Sequence, residues 1–446
     1  MYKGFTDHVQ TLTDIHTVSF ECCSRREPNL TILHGCVADD FTGAVDLAGN
    51  FAARGLNAVV ITEPDAALHE LPGDTEAVII ALKTRTASPD AAVRQSVDAF
   101  RRLTEAGARQ LYFKYCSTFD STEHGNIGPV IDAMLAELDL TTTIVVPSFP
   151  GNGRTVRDGQ LSVWGELLEH SSMRHHPLTP MTESDVRLLL SRQAQTPVGF
   201  IDLATVRDGA EALRGALERA STPSAVVIDA VTDADLATIA AAAAGLRLVT
   251  GGSGLALGIP VPERRAAEAP RLAALDGHRV ILCGSASKRT QEQVQAAKQA
   301  GFLSLQVDPR AGTEQTVSIV RWARESWAER PDVPVLVYAT GSPDDVATDD
   351  ASAHAEAADR IEHTLAEAAI ALIDAGAVEV ISAGGETSGR IVTELRISSL
   401  KLGQPICPGV SWARATTAAG HVINLALKSG NFGSTEFFVE AWDELA

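Results

Sequence analysis

The sequence has no apolar run approaching the ~18–20 residues needed to span a bilayer. Its longest candidates, such as Leu236–Ala244, are short and alanine-rich. The opening stretch MYKGFTDHVQTLTDIHTVSFECCSRREPNL has no apolar h-region and carries Asp7, Asp14 and Glu21, which argues against a secretory signal. Cysteine is sparse, with 6 in 446 residues. Cys22, Cys23, Cys36, Cys116, Cys283 and Cys407 form no CxxC pair and no zinc spacing, so a reduced cytoplasm is the expected setting, with no metal held by the protein. No GxxxxGK[ST] phosphate loop occurs anywhere. Basic residues are in deficit, 37 Lys+Arg against 57 Asp+Glu, for a net charge of −20. Such a chain repels phosphate backbones, which excludes a general nucleic-acid binder. Any anionic ligand needs positive charge supplied locally.

What is present is ordinary for a globular protein: 45% hydrophobic and 21% charged residues. The length fits three average domains or two large ones. The first 29 residues match no period and read as an extension. From Leu30 onward, short apolar runs alternate with amphipathic stretches. LTILHGCVA, NAVVIT, AVIIAL, QLYFKY, TTIVVPSF, PVGFIDL, SAVVIDA and LRLVT read as strands, with helices at 90–106, 128–138, 209–220 and 233–244 between them. This alternation predicts an α/β fold with a mostly parallel sheet covered on both faces. IPVPERRAAEAPRLAALDGHR then breaks the texture, and the pattern restarts with HRVILCGS, LSLQVD, VPVLVYAT and VEVISAGG. Two α/β domains are therefore expected, at 30–258 and 279–446, joined by a linker at 259–278. The acidic stretch from Ser342 to Arg360 reads as a solvated face.

Open α/β sheets bind ligands at the carboxyl ends of their strands, and several polar turns fall there. ADDFTGA places Asp39 and Asp40 at a strand end, with Thr42 and Gly43 opening a helix. One Asp could orient or deprotonate a hydroxyl, or simply cap the helix. Lys83 and Arg85 follow the next strand, and the Arg fork suits a carboxylate. KYCSTFDSTEHGNIG brings Lys114, Ser117 and Thr118, and PSFPGNGRTVRDG adds Asn152 and Arg154. GGSGLALG resembles a dinucleotide fingerprint with its spacing off by one, and reads better as a close-packed turn or site wall. In the second domain CGSAS (Ser285, Ser287), SAGGETSG (Gly384, Gly385, Glu386, Thr387) and ALKSGNFG (Lys428, Ser429, Gly430) offer backbone NH groups to phosphates, with Lys428 a possible neutralising charge. His175 and His176 lie in an irregular segment without a metal spacing.

These motifs, with MRHHPLTPMTES, occur in an order that resembles the four-carbon acid sugar kinase family from about Leu30 to Phe438. The resemblance implies phosphorylation of a C4 sugar acid at O4 by ATP with Mg²⁺, and most closely a 3-oxo-tetronate (3-dehydro-erythronate) as substrate. It implies an active site in the interdomain cleft, the first domain binding sugar acid and the second nucleotide. Asp39 and Asp40 would be catalytic, with Asp40 the favoured base. Thr42, Arg85, Lys114, Ser117, Thr118 and Arg154 would bind the acid. Ser285, Ser287, Gly384–Thr387 and Lys428–Gly430 would hold ATP. His175 stands where the family has Asp, and Ala286 where Cys is common. A kinase for threonate or erythronate, a dinucleotide-dependent dehydrogenase and a non-catalytic sugar-acid sensor are the alternatives, and a homo-oligomer stays open. The linker would act as a hinge for cleft closure.

Overall fold

The computed structural model of the protein describes residues 32–446 except Pro64, 176–178, 220–223, 262–270, 309–310 and 340–350. The N-terminal extension, His176, the middle of the linker and the start of the acidic stretch therefore lie outside the described residues.

The first half contributes β1 (His34–Ala38), β2 (Ala58–Ile61), β3 (Ala77–Ala81), β4 (Gln110–Lys114), β5 (Thr142–Val146), β6 (Arg154–Arg157), β7 (Gln160–Val163), β8 (Glu166–Leu167), β9 (Val198–Ile201), β10 (Ser224–Ile228) and β11 (Leu248–Gly251). The second half contributes β12 (His278–Cys283), β13 (Leu303–Gln306), β14 (Val335–Tyr338), β15 (Ala377–Ala383), β16 (Ser399–Cys407), β17 (Val410–Thr416) and β18 (Val422–Lys428). The central strands are continuous apolar runs because helices cover both faces, so no residue of such a strand meets water. All of AVIIA in β3 and of VLVY in β14 is buried.

Both halves share one sheet of 15 strands, in the order β13-β14-β12-β15-β18-β17-β16-β2-β3-β1-β4-β11-β5-β10-β9. The two separate sheets expected from the sequence are thus joined. The joint is an antiparallel ladder in which Ser399, Leu400 and Lys401 of β16 face Ile61, Val60 and Val59 of β2. The hairpin of β16 and β17 is antiparallel too, and the rest of the sheet is parallel apart from the β17–β18 pair. β6, β7 and β8 form a small antiparallel sheet of their own.

The parallel strands of the two halves run in opposite senses, since three antiparallel pairings, β2–β16, β16–β17 and β17–β18, separate them. A flat sheet would aim their carboxyl ends at opposite edges. Twist of about 20–25° per strand step turns the two edges towards one another. Helix α1 (Phe41–Ala53) sits at this junction, packed against β2 and β3 on one side and β16 and β17 on the other. Its buried face carries Ala44, Leu47, Ala48 and Phe51. Among the described residues no helix is long and apolar enough to cross a membrane.

Candidate active site

The chain leaves β1 directly into Asp39 and Asp40. Asp40 is the N-cap of α1: its Oδ1 accepts from the Gly43 amide at 3.0 Å and its Oδ2 from the Thr42 hydroxyl at 2.8 Å. Arg85, from the turn after β3, donates from Nε to Asp39 Oδ2 at 2.9 Å and from Nη2 to Asp39 Oδ1 at 2.8 Å. The same Nη2 reaches Asp40 Oδ1 at 2.7 Å. The Arg85 turn is itself pinned by Asn126, whose amide donates to the carbonyls of Thr84 and Ala87 at 2.7 and 3.1 Å. The fork expected to grip a substrate carboxylate is therefore occupied by two aspartates of the protein.

The two carboxylates differ electrostatically. Burial pushes Asp39 above the ordinary carboxylate range, and Arg85 offsets this only in part. For Asp40 burial acts in the same direction, but Arg85, Lys114, Thr42 and Gly43 together outweigh it and hold the group below its ordinary value.

Lys114, the last residue of β4, is only 3% exposed and donates to its neighbour Tyr115 O at 2.9 Å. Its ammonium lies under the first turn of α1, where a Cβ on Gly43 would come within 2.6 Å of Nζ. Any side chain at that position would displace the lysine, so a glycine stands there. Thr118 is buried, donating to Asp120 Oδ1 at 2.6 Å, and Ser117 is half-buried beside it. Arg154, at the start of β6, donates from Nη1 to Asn152 O, while its buried Nε has no partner.

The GGSG turn after β11 is a wall. A Cβ on Gly252 would come within 2.6 Å of Pro147 O, and one on Gly254 within 2.8 Å of Ser148 O. These glycines serve backbone packing, which disposes of the dinucleotide fingerprint. The turn also touches α1, where Ser253 Oγ bonds to Asp46 Oδ2 and Ser253 O accepts from Asn50 Nδ2 at 2.9 Å.

In the second half the three polar turns follow β12, β15 and β18, which are neighbours in the sheet. Gly384 N donates to Lys428 O at 2.8 Å, linking the second turn to the third. Ser287 and Thr290 each donate a hydroxyl to Gly430 O at 2.7 Å, linking the first to the third. Ser287 also caps the Lys288–Gln299 helix. Ser285 Oγ donates to Ser287 Oγ at 3.2 Å, and Thr387 is buried against Gly284. Lys428 is fully buried, and its ammonium donates to Thr290 Oγ1, Ser429 O and Gly430 O at 3.2, 3.0 and 2.9 Å. It is committed to the shape of the turn. Burial lowers its pKa to about 8.

A cavity of about 510 Å³ lies between the halves. Asp39, Asp40, Thr42 and Arg85 border it on one side, and Gly385, Glu386, Gly389 and Arg390 on the other. Lys83, Asp120, Thr179 and Glu362 are also on the rim. The N-termini of α1 and of the Gly385–Glu394 helix both open on this space, and helix N-termini favour anions. Three participants escaped the sequence reading. Glu362 belongs to a helix whose acids read as a solvated face. Thr290 had no signal beyond its place after CGSAS. Asp46, which meets Ser253 of the wall rather than the cavity, had one: it is the lone acid of the helix FTGAVDLAGNFAA.

Residues 34–259 match a sugar-binding N-terminal domain, and residues 280–438 a nucleotide-binding C-terminal domain. The 3-oxo-tetronate kinase of Cupriavidus necator is 44% identical over 423 residues, covering 93% of this chain and 97% of its own. That of Salmonella typhimurium is 38% identical over 422 residues, covering 92% and 98%. Among solved structures, a Salmonella typhimurium LT2 protein described as a tRNA synthase aligns with a TM-score of 0.83 at 37% identity, covering 93% of this chain and 99% of its own. A Haemophilus influenzae protein aligns at 0.74 and 35% identity, covering 92% and 99%.

Proposed function

We propose that this chain, which belongs to the four-carbon acid sugar kinase family, uses ATP to phosphorylate the C4 hydroxyl of 3-oxo-tetronate in the cytoplasm. The reading is carried by one observation: a single cavity bordered by Asp39, Asp40, Thr42 and Arg85 from the sugar-binding half and by Gly385, Glu386 and Gly389 from the nucleotide-binding half. We place the sugar-acid domain at 30–258, the linker at 259–278 and the nucleotide domain at 279–446.

Phosphoryl transfer to a hydroxyl demands positioning and charge neutralisation more than covalent chemistry. The interlocked turns at Ser285–Ser287, Gly384–Thr387 and Lys428–Gly430 present backbone NH groups to the nucleotide, with the Gly385–Glu394 helix dipole aimed at its phosphates. Lys428 acts through the turn it shapes. On the other side, Arg85 holds Asp39 and Asp40 in place, and Thr42, Ser117, Thr118 and Arg154 meet the acid. Lys114 supplies positive charge from beneath α1.

Among the described residues no group of three or more His, Cys, Asp or Glu forms a metal cluster. Mg²⁺ does not need one, since it takes most ligands from phosphate and water and only one or two from carboxylates. Glu362 and Glu386 fit that role. Both border the cleft, and burial together with the Glu386 charge raises the Glu362 pKa, with Arg390 offsetting part of the rise. Bound there with ATP, the ion would neutralise charge on the phosphate oxygens.

The test is ADP release with a panel of C4 acids. Turnover should be fastest with 3-dehydro-erythronate, slower with threonate and erythronate, and ³¹P NMR should place the phosphate on O4. An absence of ADP release with every acid would reject the reading.

A further inference from the structure

We propose that Asp120 and Lys83 orient the sugar acid in the cleft: a free oxygen of the Asp120 carboxylate accepts a hydrogen bond from a substrate hydroxyl, and the Lys83 ammonium pairs with the substrate carboxylate. This rests on the kinase reading above. The argument begins with which polar groups on the cavity border are still free. Both oxygens of Asp39 accept from Arg85. Both oxygens of Asp40 are used as well, by Arg85, Thr42 and the Gly43 amide. Asp120 borders the same cavity and differs from both. Its Oδ1 accepts from the Thr118 hydroxyl at 2.6 Å, and its Oδ2 has no partner among the described residues. The residue is only 8% exposed, yet Oδ2 is not among the oxygens sealed from solvent. A carboxylate oxygen that is open to the cavity, on a residue otherwise buried and held in place, is a ready acceptor for a ligand hydroxyl.

The local chain is built to hold it so. Phe119 has a φ of 51°, in the left-handed region that a side chain enters at a cost. Its amide donates to Cys116 O at 2.9 Å, closing the turn, and its buried ring packs edge-on against Tyr115. Asp120 is the next residue. Because the Thr118 hydroxyl gives its proton to Asp120, the Cys116 thiol is the donor in its 2.9 Å contact with Thr118 Oγ1. Thiol, hydroxyl and carboxylate thus form a chain that fixes the plane of Asp120 and leaves Oδ2 free at its end.

The positive end follows from the same elimination. Lys83, Arg85 and Arg390 are the cations on the cavity border among the described residues. Arg85 is held by Asp39 and Asp40, and Arg390 by Asp359. Lys83 is exposed just past β3, and its Nζ reaches only Thr393 Oγ1, at 3.5 Å. That distance is too long to commit an ammonium, so Lys83 is available to an anion. Asp120 repels a carboxylate and Lys83 attracts one. Together they select a molecule with a hydroxyl in one part and a carboxylate in another, and they decide which end lies at which wall.

The test uses the full chain with ATP and two acceptors. One is 3-dehydro-erythronate, and the other is erythrulose, the ketose in which a hydroxymethyl group replaces the carboxylate. Erythrulose is read by its turnover or by its inhibition constant against the acid. Lys83→Met should lower kcat/KM for the acid about 10-fold and leave erythrulose unaffected, so the wild-type preference for the acid shrinks. Asp120→Asn keeps an oxygen for Thr118 and presents an amide where the free oxygen stood. It should weaken both acceptors by a similar factor, about 10–100-fold. In both variants the calorimetric affinity for a non-hydrolysable ATP analogue should match wild type. An equal loss on both acceptors in Lys83→Met, or a weakened affinity for the analogue, would assign Lys83 to the nucleotide and overturn the proposal. Wild-type kinetics in Asp120→Asn, or a loss confined to the acid, would overturn the hydroxyl contact. A wild-type protein that turns over neither acceptor would overturn the kinase reading. Calorimetric titration of the acid without ATP then decides the orientation separately: weaker binding in both variants supports it, and unchanged binding overturns it.

Discussion

Asp39 and Asp40 adjoin in the chain, yet their surroundings separate them, and the separation runs through Arg85. Its guanidinium is bidentate to Asp39 and shared with Asp40, with Arg85 and Asp39 side chains only 22% and 4% exposed. Removing it would strand the buried Asp39 carboxylate and the half-buried Asp40 carboxylate beside it. Arg85→Ala should therefore destabilise the fold by about 3 kcal/mol, the lower end of the range for breaking a buried pair because Arg85 keeps some contact with water. It should also depress kcat, whereas a pure substrate-binding role would raise the KM of the acid and spare stability. Urea denaturation alongside steady-state kinetics separates the two, and an unchanged unfolding midpoint would show the pair to be dispensable. The motifs ADDFTGA and KTRTASP were legible in the sequence as strand-end polar turns. The direction of the Arg85 side chain was not, because it depends on Asn126 fixing a turn some forty residues away. Lys428 follows the same pattern, a cation visible in sequence whose burial only the fold decides.

At the scale of elements, the parallel strands were legible because burial on both faces writes them as unbroken apolar runs. The hairpin of β16 and β17 was not, since SLKLGQPIC carries Lys401, Gln404 and Pro405 through a strand that shows alternation broken by register shifts. That hairpin is the piece that joins the two halves. The three nucleotide turns were each legible alone, but their mutual hydrogen bonding follows from β12, β15 and β18 being neighbours. Lys428 ties them together and yields a pH prediction. Its folded pKa of about 8 lies below its ordinary value of 10.5. Between those values the unfolded chain binds more protons than the folded one, so stability rises with pH there. The gain should show from about pH 8 to 9; at higher pH the buried thiol of Cys283 and the half-buried thiol of Cys407, with pKa values raised to about 12 and about 11, work in the opposite sense. Lys428→Met should lose this rise in chemical denaturation. A variant with the wild-type slope would mean that the ammonium is not the group responsible.

For the whole molecule, the continuous sheet constrains how the cleft can close. A flexible linker between independent domains would let them swing, and the composition of 259–278 suggests such a hinge. The β2–β16 ladder opposes it, because opening there would break main-chain hydrogen bonds between Val59, Val60 and Ile61 and their partners Lys401, Leu400 and Ser399. α1 reinforces the joint by packing on strands of both halves. Water exclusion, which a kinase needs to suppress ATP hydrolysis, then has to come from local tightening around the cavity. The elements free to tighten are those that border the space without belonging to the ladder: the Gly385–Glu394 helix and the turns carrying Lys83 and Asp120. Small-angle scattering with a non-hydrolysable ATP analogue and sugar acid should accordingly show no resolvable change in radius of gyration. Hydrogen exchange in the same complex should slow at the first turns of α1 and of the Gly385–Glu394 helix, while the amides of β2 and β16 stay protected with and without ligand. A clear contraction in scattering, with exchange rising along β2 and β16 as the ligands bind, would mean that the ladder opens during closure and that the sheet is the hinge.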